Sequence, residues 1–193
     1  MIFYTSDLHL GHANVIRFDK RPFADVEEMD QYIITRWNDR VSEDDTVYIV
    51  GDICHRNSRD SSWYLKQLKG HKILILGNHD NPILKNKSAC SCFDKVEKMM
   101  QVVDEKRQIT LCHYPIVEWN AYFHGSWHIY GHIHNKKEDT FKIMSQKEHA
   151  LNAGCMINNY VPVTFDELVE NNLYKNYKLS LLNYNQGSYL ILY

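Results

Sequence analysis

The chain has 193 residues, 44% of them hydrophobic and 24% charged, with a formal net charge of −2. That length suits one domain with its own core and no disulfide staples, and we read 1–193 as a single domain. The near-neutral charge excludes the global basic footprint that duplex nucleic acid selects, and no stretch approaches the ~20 apolar residues of a membrane span.

Residues 2–5 form a short run rich in β-formers, with neither a basic start nor a long apolar stretch that would mark a secretory signal. The run ends in Ser6-Asp7-Leu8-His9. Val26, Met29, Ile33, Trp37 and Val41 then recur at spacings of three and four, which predicts an amphipathic helix. A second strand-like run, 46–50, ends in Gly51-Asp52. Residues 61–68 form a shorter helix candidate. The third run, 72–76, stops at Gly77-Asn78-His79-Asp80; the fourth, 108–112, at His113; the fifth, 127–130, at Gly131-His132-Ile133-His134. Thr164-Phe165-Asp166-Glu167 has the capping-box form, so a helix carrying Phe165, Leu168, Val169 and Leu173 is expected after it. Asn185-Gln186-Gly187 separates two apolar stretches and predicts a hairpin. Strands alternating with helices indicate an α/β layered domain.

The strand exits carry the functional signal. In open α/β sheets, sites form at the carboxyl ends of strands. Taken singly, each exit has a plain reading: Gly-Asp is common in turns, and a lone His after a strand is more often hydrogen-bonded than a ligand. Asp7-x-His9 and His132-x-His134 gain weight because residues i and i+2 of an extended segment share a face and can point at one ion. Together the exits offer Asp7, His9, Asp52, Asn78, His113, His132 and His134. One zinc ion uses three or four ligands, so this set suits two ions, with Asp52 as the natural bridge. Nitrogen and oxygen donors without thiolate suit Mn, Fe, Zn or Ni. The five cysteines have no framework spacing and read as reduced thiols of a cytoplasmic protein. Cys90-Ser-Cys92 lacks a zinc-knuckle gap, and Cys54 and Cys112 read as small buried fillers.

Asp7-x-His9, Gly51-Asp52, Gly77-Asn78-His79-Asp80, His113 and Gly131-His132-x-His134 resemble, in order and separation, the calcineurin-like metallophosphoesterase superfamily. The resemblance spans roughly 1–168, with 151–168 similar to the end of the small bacterial and phage members, where a late strand leads into a terminal helix; 170–193 is an appended tail. It implies a four-layer α-β-β-α sandwich, two mixed β-sheets flanked by helices. It implies one divalent metal on Asp7, His9 and His134, another on Asn78, His113 and His132, and Asp52 bridging them. His79 would serve as general acid with Asp80 near its ring, so the implied catalytic residues are His79, Asp52 and Asp80. The implied activity is hydrolysis of a phosphodiester, or of a small phosphomonoester, by a metal-bridging hydroxide.

Other residues have weaker readings. His12, three residues past His9, and Arg17 are candidate substrate contacts, and Arg21 could touch phosphate or lie at the surface. His55, His71, His128 and His149 read as surface or hydrogen-bonded residues. Trp119, Tyr122, Phe123, His124 and Trp127 could form a stacking wall for a flat group, but a hydrophobic strap over the sheet edge is favoured. Lys136 and Lys137 could add positive potential for an anion. The expected partner is a small phosphorylated or nucleotide-like substrate in an open site that an oligomer could cover. An idle protein-binding scaffold of the same fold is the alternative, and the complete ligand set with His79 argues against it. A mononuclear amidohydrolase barrel does not fit, because its His-x-His comes early and its barrel needs ~250 residues.

Overall fold

A computed structural model describes residues 1–55 and 59–173, so the hairpin expected around Gly187 lies outside the described residues. The first sheet contains β1 (Ile2–Thr5), β2 (Thr46–Ile49), β3 (His71–Ile75) and β4 (Lys95–Glu97), in that order and all parallel. Thr5 lies opposite Ile49, and Ile49 opposite Leu74, so β1, β2 and β3 end side by side. Parallel neighbours need crossover connections, supplied by α1 (Ala13–Asp19), α2 (Val26–Arg40), α3 (Ser61–Leu65), α4 (Asn81–Leu84) and α5 (Lys87–Cys90). The second sheet pairs β5 (Met99–Asp104) antiparallel with β6 (Arg107–Cys112), then β7 (Trp127–Tyr130) and β8 (Ala150–Asn152) in parallel. α6 (Asp139–Met144) joins β7 to β8, and a last helix, α7, covers 165–173.

Period-two alternation divides the core. Phe3, Val47, Ile49 and Leu74 face the helices and meet Met29, Ile33, Ile34 and Trp37 of α2. Tyr4, Val50 and Ile75 face the other way and meet Val102, Ile109, Leu111, Ile129 and Leu151 of the second sheet. Each fully buried large apolar side chain contributes roughly 1.5–3 kcal/mol. Bridges from Tyr4 to Val163 and from Ser6 to Gly154 tie the sheets together at the exit of β1.

The helix expected from Val26 forms because its apolar residues share one face and its start is capped. Asp25 accepts from the Glu28 N–H at 2.8 Å, and Glu28 accepts from the Ala24 N–H at 2.6 Å. At α7, Glu167 Oε2 accepts from the Thr164 N–H and hydroxyl at 2.8 and 2.9 Å, and an Arg40–Glu167 ion pair joins α2 to α7. α3 ends at Leu65, short of the expected 68. The elements beyond those predicted from local pattern, β4, β5, α1, α4, α5 and α6, are short or half exposed; β8 corresponds to the late strand implied by the resemblance.

Within the aromatic stretch Trp119 is packed into the fold, whereas Phe123 and His124 are exposed. Trp119 is buried, donates from Nε1 to Ser126 and packs at 5.2 Å on His128. His128 is fully buried in β7; its Nδ1 donates to Thr110 O at 3.0 Å, while its Nε2 accepts the Ile116 N–H at 3.0 Å. Burial holds its pKa down to about 4, against the backbone hydrogen bonds to Thr110 and Tyr114. The neutral ring therefore stabilises the fold above pH 6.5, and that contribution, roughly 3 kcal/mol, is lost as pH falls from 6.5 to 4 because the unfolded chain takes up the proton first. Urea midpoints measured across that range should fall for the natural chain and fall less steeply for His128→Gln.

Candidate metal centre

The exits of β1, β2, β3, β6 and β7 meet at one end of the two sheets. Among the residues offered there, Asp7, His9, Asp52, His132 and His134 have φ between 51° and 70°. Left-handed backbone is uncommon outside glycine and costs energy, and such residues cluster where function over-determines the fold. Asp7 and His9 do converge, as expected, but through left-handed rather than extended backbone, and the expectation that His132 and His134 point at one ion is corrected. His134 joins Asp7 and His9, whereas His132 turns to Asn78.

The side chains form two groups that share Asp52. In the first, His9 Nε2 lies 3.1 Å from His134 Nε2, and His134 Nε2 lies 3.7 Å from Asp7 Oδ1. In the second, Asn78 Oδ1 lies 3.1 Å from His113 Nε2 and 3.0 Å from His132 Nδ1. Asp52 Oδ2 stands 3.7 Å from His9 Nε2 and 3.5 Å from His113 Nε2. Asp7, His9 and His134, and likewise Asp7, Asp52 and His113, bring ligand atoms within 4.8 Å of one another. Two imidazole nitrogens facing each other beside two buried carboxylates form a donor set that fits a divalent cation.

Electrostatics supports the same reading. Burial raises the Asp7 carboxyl above its usual range, opposed by the nearby His134 and His113. Burial also acts upward on Asp52, but the bond and charge of His113 and the charge of His9 outweigh it and bring Asp52 to about 2. Burial pulls His113 down, yet Asp52 and Asp7 push it up to about 9. The paired carboxylates thus draw positive charge to this point.

Close approach needs glycine at the exits of β3 and β7, among others. A Cβ on Gly77 would fall 2.2 Å from Asp52 Oδ1, and one on Gly131 would fall 1.9 Å from Ser6 Oγ and 2.8 Å from Asp7 Oδ2.

Asp80 requires a second correction. Expected near the His79 ring, it is fully buried and faces the backbone instead: Oδ2 accepts from the Asp52 and Gly77 N–H groups at 2.8 Å each, and Oδ1 from Ile53 N–H at 3.1 Å. A buried carboxylate is stabilised by such amides, and no hydrogen bond among the described residues joins it to the His79 ring. Burial, opposed by those amides, raises its carboxyl to about 6. His79 itself is exposed outside both groups, with its ring 5.3 Å from His9 and its backbone N–H donating to Asp52 Oδ1 at 2.8 Å.

Residues 1–102, which hold Asp7, His9, Asp52 and Asn78, match the family model described as calcineurin-like phosphoesterase. The chain belongs to that family. An uncharacterised protein of Methanocaldococcus jannaschii is 31% identical over 172 residues, 88% of this chain and 89% of that one. The Gene 66 protein of Mycobacterium phage L5 is 38% identical over 89 residues, 45% of this chain and 42% of its own. Among solved structures, a protein of unknown function from Aquifex aeolicus superposes with a TM-score of 0.69 at 26% identity, covering 88% of this chain and 98% of that one. The two four-stranded sheets flanked by helices are the family's architecture, and the chain is a hydrolase acting on phosphoric esters.

Around the centre of this phosphoesterase, other residues sort by contact. His12 stacks on His55 with ring centroids 3.8 Å apart, and both rings lie beside the site, His12 5.6 Å from His9 and His55 6.2 Å from His79. Arg17 is exposed on α1 with its guanidinium over Phe18. Arg21 is neither a surface residue nor an open phosphate contact. It is 4% exposed and donates to Asp7 O and Leu8 O at 2.8 Å each, bracing the left-handed turn from beneath. Lys136 and Lys137 are exposed, His71 pairs with Asp94 at the surface, and His149 packs on Trp127.

Asp19 was not singled out from sequence. Its Oδ2 accepts from His134 Nδ1 at 2.6 Å, which leaves the His134 Nε2 lone pair facing Asp7 and His9. Only its place at the end of α1, far from any other motif, marked it, and that is no signal. Such partners fix the tautomer and orientation of a ligand and are worth roughly 10–100-fold in metal affinity. Asp19→Asn should weaken manganese binding by about that factor, measured by competition with a chelator, with the circular dichroism spectrum unchanged.

Proposed function

We propose that the chain is a dinuclear metal-dependent phosphodiesterase in which Asp52 bridges two divalent ions and His79 is the general acid. The observation that carries this reading is the position of Asp52 Oδ2, within 3.7 Å of a nitrogen in each group. Asp7, His9 and His134 would hold one ion; Asn78, His113 and His132 the other. With only carboxylate, amide and imidazole donors, Mn, Fe, Zn or Ni is the expected occupant. Two such ions would neutralise the phosphoryl oxygens and lower the pKa of a water between them.

The chain's own residues then act on the leaving group. Expulsion of an alkoxide requires a proton, and a positioned side chain supplies it. His79 is suited to this because its ring is outside both ligand groups while its backbone is tied to the bridging carboxylate. The Asp80 carboxylate holds Gly77, Asp52 and Ile53 as one unit, so the acid and the bridge keep a fixed separation. A cytoplasmic location is supported by the five unpaired thiols. Among the described residues no helix is long and apolar enough to cross a membrane.

The test is hydrolysis of bis(4-nitrophenyl) phosphate and 4-nitrophenyl phosphate with Mn, Zn, Ni and Mg. Metal-dependent turnover with the diester preferred is expected. A monoester preference would overturn the diesterase assignment, and no turnover with any metal would overturn the enzymatic reading.

A further inference from the structure

A cavity of about 590 Å³ opens beside His79, bounded by His55, Asn78, His79, Asn81, Pro82 and Lys85. Its size falls within the ~300–1,000 Å³ of small-molecule sites. Asn78 and His79 form the wall nearest the metal centre, and Asn81, Pro82 and Lys85 come from α4 and its C-terminal cap. That second wall is anchored. Ile83 is 1% exposed in the core, the Lys85 N–H donates to Pro82 O at 3.2 Å, and Asn86 binds Asp60 at 2.8 Å and the Ala89 N–H at 3.1 Å.

The lining chemistry is one-sided. Among the described residues it holds two imidazoles, two side-chain amides and one ammonium, and no carboxylate, since Asp80 is turned into the backbone. Among the described residues no phenyl or indole ring lines it, so they offer no stacking platform of the kind that base recognition without charge would use. Hydrogen-bond donors and a cation without a competing acid select an anion. Because His79 would protonate the leaving oxygen, the leaving group must lie on the His79 side, where this cavity is.

We propose that the cavity is the leaving-group subsite and that Lys85 pairs with a second anionic group on the departing alcohol, a phosphate beyond the scissile one. This rests on the phosphodiesterase reading and extends it to substrate class. The favoured substrates are phosphodiesters whose leaving alcohol is itself phosphorylated, as in a short single strand of nucleic acid or a phosphorylated small polyol.

The test compares kcat/KM for dithymidine monophosphate with kcat/KM for the same dinucleotide phosphorylated at its 5′ or its 3′ end, using manganese-loaded full-length protein and bis(4-nitrophenyl) phosphate as reporter. One phosphorylated form should be preferred by roughly fivefold, the upper effect of a solvent-exposed ion pair. Lys85→Gln should bring that ratio to about one, and Lys85→Arg should keep it. A parallel series on a glycerol diester separates the sources. Preference in both series identifies a general anion subsite, and preference in nucleotides alone identifies single-stranded nucleic acid. If the reporter is hydrolysed but neither series has a preference, or the preference survives Lys85→Gln, the subsite assignment is wrong. If the reporter is not hydrolysed, the phosphodiesterase reading has failed, and the subsite with it.

Discussion

Asp52→Asn is expected to lower kcat on bis(4-nitrophenyl) phosphate roughly a thousandfold, the effect of losing several kcal/mol of transition-state stabilisation. The substitution is nearly isosteric and keeps an oxygen to accept the His79 N–H, as Oδ1 does at 2.8 Å. It removes one negative charge from the point shared by the two ligand groups, where His9 and His113 each approach Oδ2. Two like-charged ions held close together need an anion between them. The variant should keep its circular dichroism spectrum and bind fewer ions per chain. A kcat within tenfold of the natural chain would remove Asp52 from the centre of the mechanism.

His79→Ala is expected to behave differently, because its ring stands outside both groups. The variant should retain its metal. Its kcat on an alkyl diester should fall by about 10²–10⁴, the usual contribution of a general acid. On a nitrophenyl ester, whose leaving oxygen needs no proton, the loss should be less than about tenfold. A plot of log kcat against leaving-group pKa should therefore be steeper for the variant. Loss of metal together with an unchanged slope would assign His79 to binding rather than proton transfer.

These expectations rest on residues that are legible in the sequence, for a physical reason. Ligands at the ends of buried parallel strands follow runs of Ile, Val and Tyr, so the apolar pattern that builds the sheet also points to the site. The capped, periodic α2 was legible for the same reason. β5 was not: its burial alternates, but apolar Met99 and Val103 lie on the exposed face and Asp104 on the buried one, so its sequence does not show the alternation. α1 is a single short helix with two buried residues, Val15 and Asp19. Within the site, Asp80 was misread because adjacency in sequence says little about side-chain direction at a turn; the carboxylate went to three amides instead of the neighbouring ring. Asp19 reaches His134 across 115 positions, and the left-handed backbone at Asp7, His9 and Asp52 leaves no residue-type signature, since Asp and His tolerate it without advertising it.

The dinuclear centre is tested most directly by metal stoichiometry. Protein stripped with a chelator is titrated with manganese to saturation, freed of unbound ion and analysed for metal and protein together. Two ions per chain are expected, with Asp52→Asn binding fewer. One ion or none per natural chain at saturation would contradict the bridging role of Asp52.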